Sequence, residues 1–279
     1  MIKLGLIGYP VSHSLSPKIQ NAALKACELD GDYSLFPIAP DDLNGLKDLL
    51  DRVRSGEITG FNVTIPHKQN VIEFLDELTP AAKIIGAVNV IYMRDEKLIG
   101  DNTDAAGFLT DLNKLLGDKS KIINRKSAIV LGAGGGARAV VYALLNDGWN
   151  VVIAARRVEQ AQELVSQFEG AIATELNVQT FKGSNVQLIV NTTPVGMIPN
   201  VDQSPLPEDL SLDEHVVIYD LIYNPRETKL VRDARAQGLQ ATTGLGMLIE
   251  QAVLGFELWT GYKPPIDILF DAVRATHPN

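Results

Sequence analysis

The sequence has few of the features that mark secreted, membrane-spanning or metal-binding proteins. Its 279 residues include one cysteine, Cys27, so no internal disulfide can form, which fits a reducing compartment. Four histidines are scattered without the spacing of a metal site, so we predict no metal. No apolar run reaches the roughly 18 residues of a membrane span, and "MIKLGLIGYP" predicts a strand and turn, not a secretion signal. These absences predict a cytoplasmic protein.

Positive charge is also scarce. The chain has 25 Lys and Arg residues against 34 Asp and Glu, a net charge of -9. This balance argues against a nucleic-acid or anionic-membrane partner, although local basic spots can still bind small anions. Because 46% of the residues are hydrophobic and domains usually run about 100–200 residues, the chain is long enough for two domains with sizeable cores.

Predicted strands and helices alternate along the chain, which indicates an α/β fold in two parts. In the first part, 87–93 and 97–103 form a predicted hairpin, so its sheet is mixed. The polar stretch 117–127 is the predicted boundary loop, and the strands after it are apolar runs typical of a parallel sheet covered on both faces. The other predicted strands are 2–8, 33–38, 58–65, 186–194, 215–225 and 239–243, and the predicted helices include 17–28, 41–54, 104–116, 158–168, 226–237, 245–258 and 265–275.

A glycine-rich turn opens the second part. "LGAGGGA" has the form G-x-G-x-x-G/A from Gly132 to Ala137, after a predicted strand and before a long predicted helix. Glycines permit a tight turn and close approach of the backbone to a pyrophosphate, which sits at the positive end of the helix. The strand–turn–helix context favours a dinucleotide site over a turn that is merely tight.

Two arginines follow the second strand of this part. A carboxylate there would bind the ribose 2′-hydroxyl of NAD, but the sequence is Ala155-Arg156-Arg157. A guanidinium suits a 2′-phosphate because its planar fork donates two hydrogen bonds. The pair therefore favours NADP, and the alternative is a pair of solvated surface arginines.

"NTTPVGM", residues 191–197, follows another apolar strand. Ligands of open α/β sheets bind at the carboxyl ends of strands, so this stretch is a candidate cofactor contact. A plain Pro-Gly turn remains the alternative.

The first part places polar side chains around one basic residue. Asn62 and Thr64 share one face of the predicted strand 58–65, and Lys68 follows in the first turn of a predicted helix. A cation there opposes the helix dipole, so Lys68 has either a chemical role or a mild cost as a solvated side chain. Asn89 interrupts an apolar strand, and Asp104 lies at a strand-to-helix junction, where an ordinary N-cap is the alternative.

Two serines flank a leucine in "SHSLSPKIQ". Ser16 before Pro17 is a standard N-cap, but this does not account for Ser14. Two hydroxyls together with the free N–H groups of a helix suit an anion. We therefore predict that Ser14 and Ser16 bind a substrate carboxylate.

Eight motifs together resemble one family. They are "GYPVSHSLSP", "GFNVTIPHK", "AVNV", "GDNTD", "VLGAGGGARA", "NTTPVGM", "DLIYNP" and "TGLGMLIEQA". In this order and spacing they resemble shikimate dehydrogenase over nearly the whole chain. The resemblance implies reversible reduction of 3-dehydroshikimate to shikimate by NADPH, in aromatic amino-acid biosynthesis. It implies a substrate domain of 1–104 plus 244–279 and a Rossmann-type NADP domain of 105–243, with the active site in the cleft between them.

The resemblance also implies a role for each matching residue. Lys68 and Asp104 would be the catalytic pair, with Lys68 donating to the substrate oxygen. Ser14, Ser16 and Tyr223 would bind the carboxylate, and the ring hydroxyls would be bound by Asn62, Thr64, Asn89 and Gln251. The cofactor would be contacted by Gly132, Ala133, Gly134, Gly135, Gly136, Ala137, Arg156, Arg157, Asn191, Thr192, Met197, Gly244 and Met247.

The chain departs from the family at Ala155, where an asparagine is frequent, and at Arg157, which replaces a small hydroxyl residue. The key arginine, Arg156, is kept, so NADP remains the expected cofactor. The expected binding partner is a small-molecule substrate, and the expected oligomeric state is a monomer or homodimer. The alternatives are a quinate or dual quinate/shikimate dehydrogenase, a one-carbon dehydrogenase of related fold, and a non-catalytic NADPH-binding regulator.

Overall fold

The chain forms two compact units. The computed structural model describes residues 1–117, 126–177, 180–181, 185–207 and 210–274. Unit A comprises Met1–Gly107 and the chain from Ile249 onward, and unit B comprises Phe108–Leu248. The predicted divisions at 104 and 243 fall a few residues before these borders. Most of the predicted boundary loop lies outside the described residues, and both borders fall within helices.

Unit A contains the mixed sheet that the sequence predicts. The strand order is β2-β1-β3-β5-β6-β4, with β1 parallel to β2 and β3, and with β5 antiparallel to β3 and β6. Its strands are β1 Ile2–Gly8, β2 Gly31–Pro37, β3 Gly60–Val63, β4 Glu77–Leu78, β5 Val90–Arg94 and β6 Lys97–Asp101. Its helices are α1 Ser16–Ala26, α2 Leu43–Arg54, α3 His67–Asn70, α4 Pro80–Ile85 and α10 Ile266–Arg274, with a 3-10 turn at Val71–Phe74.

Several boundaries in unit A differ from the predicted ones. Strand β3 ends at Val63, so Thr64 lies just beyond it, where its backbone N–H donates to the Ile7 carbonyl at 2.8 Å. The elements β4 and α4 were not predicted, because two and six residues are too short to show a hydrophobic period.

Unit B contains the predicted parallel sheet. Its strands run in the order β12-β11-β10-β7-β8-β9, all parallel, which is the order of a Rossmann-type fold. The strands are β7 Ser127–Leu131, β8 Asn150–Ala155, β9 Ala171–Glu175, β10 Leu188–Asn191, β11 Val217–Asp220 and β12 Gln240–Thr243, with helices α6 Gly135–Asn146, α7 Val158–Val165 and α8 Lys229–Ala236. Strand β9 was not predicted because it lies at the edge and has no fully buried residue.

Two helices run from one unit into the other: α5 Asp104–Leu116 and α9 Leu245–Thr260. In unit A, α2 buries Leu46, Leu50 and Val53 against the sheet, and α10 packs on α1. In unit B, Leu230 and Val231 of α8 join the core formed by the central strands. Among the described residues, no helix is both long and apolar enough to cross a membrane.

Candidate active site

A partly buried ion pair lies in unit A. Lys68 Nζ is 2.5 Å from Asp104 Oδ2, and only 17% and 9% of the two side chains are exposed. Lys68 is on α3, and Asp104 is the first residue of α5. The structure thus brings together the two residues that the family resemblance names as the catalytic pair.

Asn89 connects this pair to its surroundings. Its Nδ2 lies 2.9 Å from Asp104 Oδ1, 3.0 Å from Thr103 Oγ1 and 3.3 Å from Gln251 Oε1. Its Oδ1 accepts a hydrogen bond from the Thr103 backbone N–H at 2.8 Å. An amide nitrogen has two hydrogens for these three acceptors, so the Gln251 oxygen, which is the most distant, is the easiest for a ligand to displace.

Asp104 is not an N-cap, contrary to the alternative that its sequence position left open. Asn102 has that role, because its Oδ1 accepts from the backbone N–H groups of Asp104 at 3.1 Å and Ala105 at 3.4 Å. Both Asp104 carboxylate oxygens therefore remain for Lys68 and Asn89.

Lys68 lies in the first turn of a helix, as predicted, but α3 has only four residues, so its dipole is small. The position of Lys68 is fixed by neighbours instead. The His67 ring is fully buried with Nε2 2.8 Å from the Ile38 carbonyl oxygen, so this nitrogen carries a hydrogen and donates. The Lys68 backbone carbonyl accepts from Val88 N–H at 2.8 Å. These bonds hold the lysine beside Asp104.

Asn62 is held at both ends of its amide. Its Oδ1 accepts from the Tyr33 hydroxyl at 2.8 Å, and its Nδ2 donates to the Asn89 carbonyl at 3.1 Å. Tyr33 is itself buried, and burial raises the pKa of its phenol, so it remains a donor. Asn62 therefore has one free amide hydrogen, and the nearby Thr64 side chain is half-buried.

The predicted N-cap of α1 at Ser16 is wrong. The N-cap of α1 is Leu15, which has helical φ and ψ, and Ser16 is the first helical residue, with no side-chain cap bond. Ser14 Oγ instead accepts from the backbone N–H of Ser16 at 3.2 Å. Ser14 therefore supports the helix start while keeping its own proton for a ligand.

In unit B the glycine turn has the geometry that a pyrophosphate needs. Gly132 has φ +103°, which strains any residue with a Cβ, and a Cβ on Gly134 would enter open space. Gly134 is the N-cap of α6, has no side-chain cap bond, and precedes a first turn without an acidic residue. The α6 terminus therefore suits an anion, and the residues of the turn fit a bound dinucleotide.

The other predicted cofactor residues lie at several strand ends of unit B. Arg156 and Arg157 are exposed directly after β8, and Met197 is also exposed. Gly244 approaches the Leu221 backbone so closely that a Cβ would lie 2.2 Å from its carbonyl oxygen. Of the remaining predicted cofactor residues, Thr192 is half-buried, and Met247 and Asn191 are buried.

Tyr223 and the residues around the ion pair of Lys68 and Asp104 lie in different units. Tyr223 belongs to unit B and is half-buried, whereas Gln251 belongs to unit A beside Asn89. Sequence reasoning did not select Tyr33, Asn102 or Thr103. The last two lie inside the "GDNTD" motif, which could have drawn attention to them, but a tyrosine in an apolar strand gives no such signal. Among the described residues, no group of three or more His, Cys, Asp or Glu side chains could hold a metal.

Comparison with known proteins assigns the chain to a family. Its residues match three family models: the shikimate dehydrogenase substrate binding domain over 6–91, shikimate / quinate 5-dehydrogenase over 114–198, and the shikimate 5'-dehydrogenase C-terminal domain over 244–274. A shikimate dehydrogenase (NADP(+)) of Methanocaldococcus jannaschii is 41% identical over 97% of this chain and 95% of its own.

Solved structures agree with this assignment. A shikimate dehydrogenase crystallised with NADP+ is 38% identical, with a TM-score of 0.91 over 100% of this chain and 96% of its own. A shikimate 5-dehydrogenase of Thermus thermophilus with NADP(H) and shikimate is 36% identical, with a TM-score of 0.86 over 99% and 100%. The conserved fold, the high coverage and the matching models lead to one conclusion: this chain belongs to the shikimate dehydrogenase family.

Proposed function

We propose that the protein catalyses the reversible NADPH-dependent reduction of 3-dehydroshikimate to shikimate, a step of aromatic amino-acid biosynthesis. The observation that carries the proposal is the partly buried ion pair of Lys68 and Asp104, surrounded by neutral donors and acceptors. It is supported by the 41% identity to a relative named as an NADP(+) shikimate dehydrogenase. We infer a cytoplasmic monomer or homodimer without a nucleic-acid or membrane partner, in keeping with the net charge of -9.

Lys68 acts at the carbonyl oxygen of the substrate. NADPH, when bound, supplies the hydride that reduces the carbonyl carbon. As negative charge develops on the oxygen, the Lys68 ammonium stabilises it by a hydrogen bond and then transfers a proton from Nζ. The neutral amine then regains a proton from solvent. In the reverse direction the same amine accepts the proton of the shikimate hydroxyl.

Asp104 and Asn89 prepare Lys68 for this step. The Asp104 carboxylate holds the lysine in place by a hydrogen bond, and the Asn89 amide fixes that carboxylate through its second oxygen. The residues proposed to bind the carboxylate are Ser14, Ser16 and Tyr223, and those proposed to bind ring hydroxyls are Asn62, Thr64, Asn89 and Gln251.

Unit B is proposed to bind the cofactor. The turn from Gly132 to Ala137 would hold the pyrophosphate at the α6 terminus, and Arg156 with Arg157 would hold the 2′-phosphate. Thr192 and Met197 would lie along the cofactor, with Gly244 and Met247 near the nicotinamide. The proposed substrate and cofactor domains then follow the borders of units A and B.

Product analysis tests the proposed reaction. The purified protein should consume NADPH in the presence of 3-dehydroshikimate and form a compound that co-elutes with authentic shikimate and has its mass. Heat-inactivated protein is the control. Absence of NADPH consumption by folded protein would contradict the proposal.

Arg156→Ala tests the choice of cofactor. The KM for NADP+ should rise about 10- to 100-fold, because a hydrogen bond to a charged group is worth roughly 1.5–3 kcal/mol, while kinetics with NAD+ should stay unchanged. The matched control is Arg232→Ala, an exposed arginine on α8 of the same unit. Equal losses with NADP+ and NAD+ would show that Arg156 does not bind the phosphate.

Ser14→Ala and Ser16→Ala test the carboxylate site. Each should raise the KM for shikimate roughly two- to tenfold, the value of one hydrogen bond. The Ser14 variant should also melt slightly lower because its oxygen accepts from the α1 backbone, whereas the Ser16 variant loses no cap. Ser34→Ala, an exposed serine of β2, is the control. Wild-type KM in both variants would remove the serines from the site.

A further inference from the structure

A buried carboxylate lies at the carboxyl end of β11 in unit B. Asp220 is 0% exposed, and its carboxylate accepts hydrogen bonds from three donors. Its Oδ1 accepts from Asn191 Nδ2 at 2.9 Å and Ile222 N–H at 3.1 Å, and its Oδ2 accepts from the Thr228 hydroxyl at 2.7 Å. A buried charge surrounded this closely by donors holds them in fixed directions.

The hydrogen bond from Asn191 connects Asp220 to the adjacent strand β10. Asn191 is also 0% exposed, and its Oδ1 accepts from the Thr193 backbone N–H at 3.0 Å and the Thr193 hydroxyl at 2.7 Å. Because Asp220 can only accept when ionised, it requires the Asn191 nitrogen on its side and so turns the oxygen toward Thr193. Since the Asn191 side chain is fully buried and paired at both ends, its predicted link to the cofactor is indirect.

The residues after Asn191 pack against the glycine turn. Thr192 donates to the Leu131 carbonyl twice, from its backbone N–H at 3.0 Å and its hydroxyl at 2.7 Å. A Cβ placed on Gly132 would lie 2.9 Å from Thr192 Oγ1 and 3.0 Å from Thr193 Cγ2. The position of these two threonines therefore defines the space beside Gly132.

Burial and hydrogen bonding act in opposite directions on Asp220. Desolvation raises its pKa to about 6, while the bonds from Thr228, Ile222 and Asn191 lower it and limit the rise. The group is therefore mostly ionised at neutral pH, as its acceptor role requires.

We propose that Asp220 is a positioning residue for cofactor binding, which acts through Asn191 to hold Thr192 and Thr193 against the glycine turn. Asp220 itself contacts neither cofactor nor substrate. The inference rests on the proposed binding of NADP at Gly132–Ala137.

Asp220→Asn tests this inference in the full-length enzyme. An amide at position 220 can donate as well as accept, so it no longer requires the Asn191 nitrogen on its side. Thr192 and Thr193 then lose their fixed position beside Gly132. The Kd for NADP+ from direct titration should rise roughly tenfold, close to the lower limit for one charged hydrogen bond, with the KM for shikimate nearly unchanged. Thr193→Val, which removes the hydroxyl at the other end of the link, should raise the Kd in the same direction. The double variant should lose less than the product of the two effects, since both act through Asn191.

A matched control separates positioning from stability. Leu239→Ala removes a buried side chain from the same unit, outside this network, and should lower the melting temperature with a wild-type Kd for NADP+. The inference is overturned if Asp220→Asn binds NADP+ as tightly as wild type or Leu239→Ala. If Asp220→Asn does not fold, Thr193→Val decides: a raised Kd supports the inference and an unchanged Kd overturns it. Failure of the wild-type enzyme to bind NADP+ would instead contradict the proposed function.

Discussion

Lys68→Met should lower kcat for shikimate oxidation by roughly 10²–10⁴, the usual contribution of a positioned acid or base. The loss follows because methionine has no amine to accept the proton of the shikimate hydroxyl and no charge to stabilise the oxygen as the proton leaves. The KM for shikimate should change much less, since this interaction strengthens mainly in the transition state. The Kd for NADP+ should stay at its wild-type value, because Lys68 belongs to unit A and the proposed cofactor residues belong to unit B.

The control for this variant is Lys83→Met, which makes the same substitution at an exposed position of α4 in the same unit. It should retain wild-type kcat. Thermal melting should show that Lys68→Met is folded, although the Asp104 carboxylate has lost its cationic partner. A folded Lys68→Met that binds NADP+ normally and keeps kcat within a few-fold of wild type would exclude Lys68 as the acid–base residue.

Asp104→Asn should lower kcat by about 10², the lower end of the range for a positioned acid or base. The amide still accepts from Asn89 through its oxygen, but its NH2 group would face the Lys68 ammonium, so two donors would oppose each other. Lys68 would then leave its present position beside α5.

The double variant Lys68→Met/Asp104→Asn should lose less than the product of the two single losses, because the two residues work as a unit. Asp101→Asn is a matched control, since Asp101 accepts from the Thr79 hydroxyl and the Asn102 backbone N–H rather than from Lys68. Multiplicative losses in the double variant would mean that Asp104 acts independently of Lys68.

The fold was largely predictable because hydrophobic pattern and turn residues agree over most of the chain. The hairpin of β5 and β6 and the strand–turn–helix at Gly132 are examples. Short or exposed elements were not: β4 has two residues, and β9 has no buried face to produce an apolar run. Propensity gives little signal there, since tertiary pairing decides whether such segments become strands.

The site was predictable as a set of residues, but not as a set of hydrogen bonds. Motifs select Asn89 and Asp104, yet only the structure shows that Asn102 caps α5 and leaves the Asp104 carboxylate for Lys68. The helix start at Ser16 was misjudged because it depends on the backbone conformation of Leu15, which spacing does not reveal. Asp220 begins the motif "DLIYNP", but its positioning role was not predicted, because that role comes from a buried neighbour on an adjacent strand.

The central claim is that the protein is an NADP-dependent enzyme acting on shikimate. The most direct test is a steady-state comparison of shikimate and quinate, each with NADP+ and with NAD+, which measures kcat/KM for the four combinations. We predict that shikimate with NADP+ has the highest value and that replacing either component lowers it. A higher kcat/KM with quinate, a preference for NAD+, or no turnover with any combination would contradict the account.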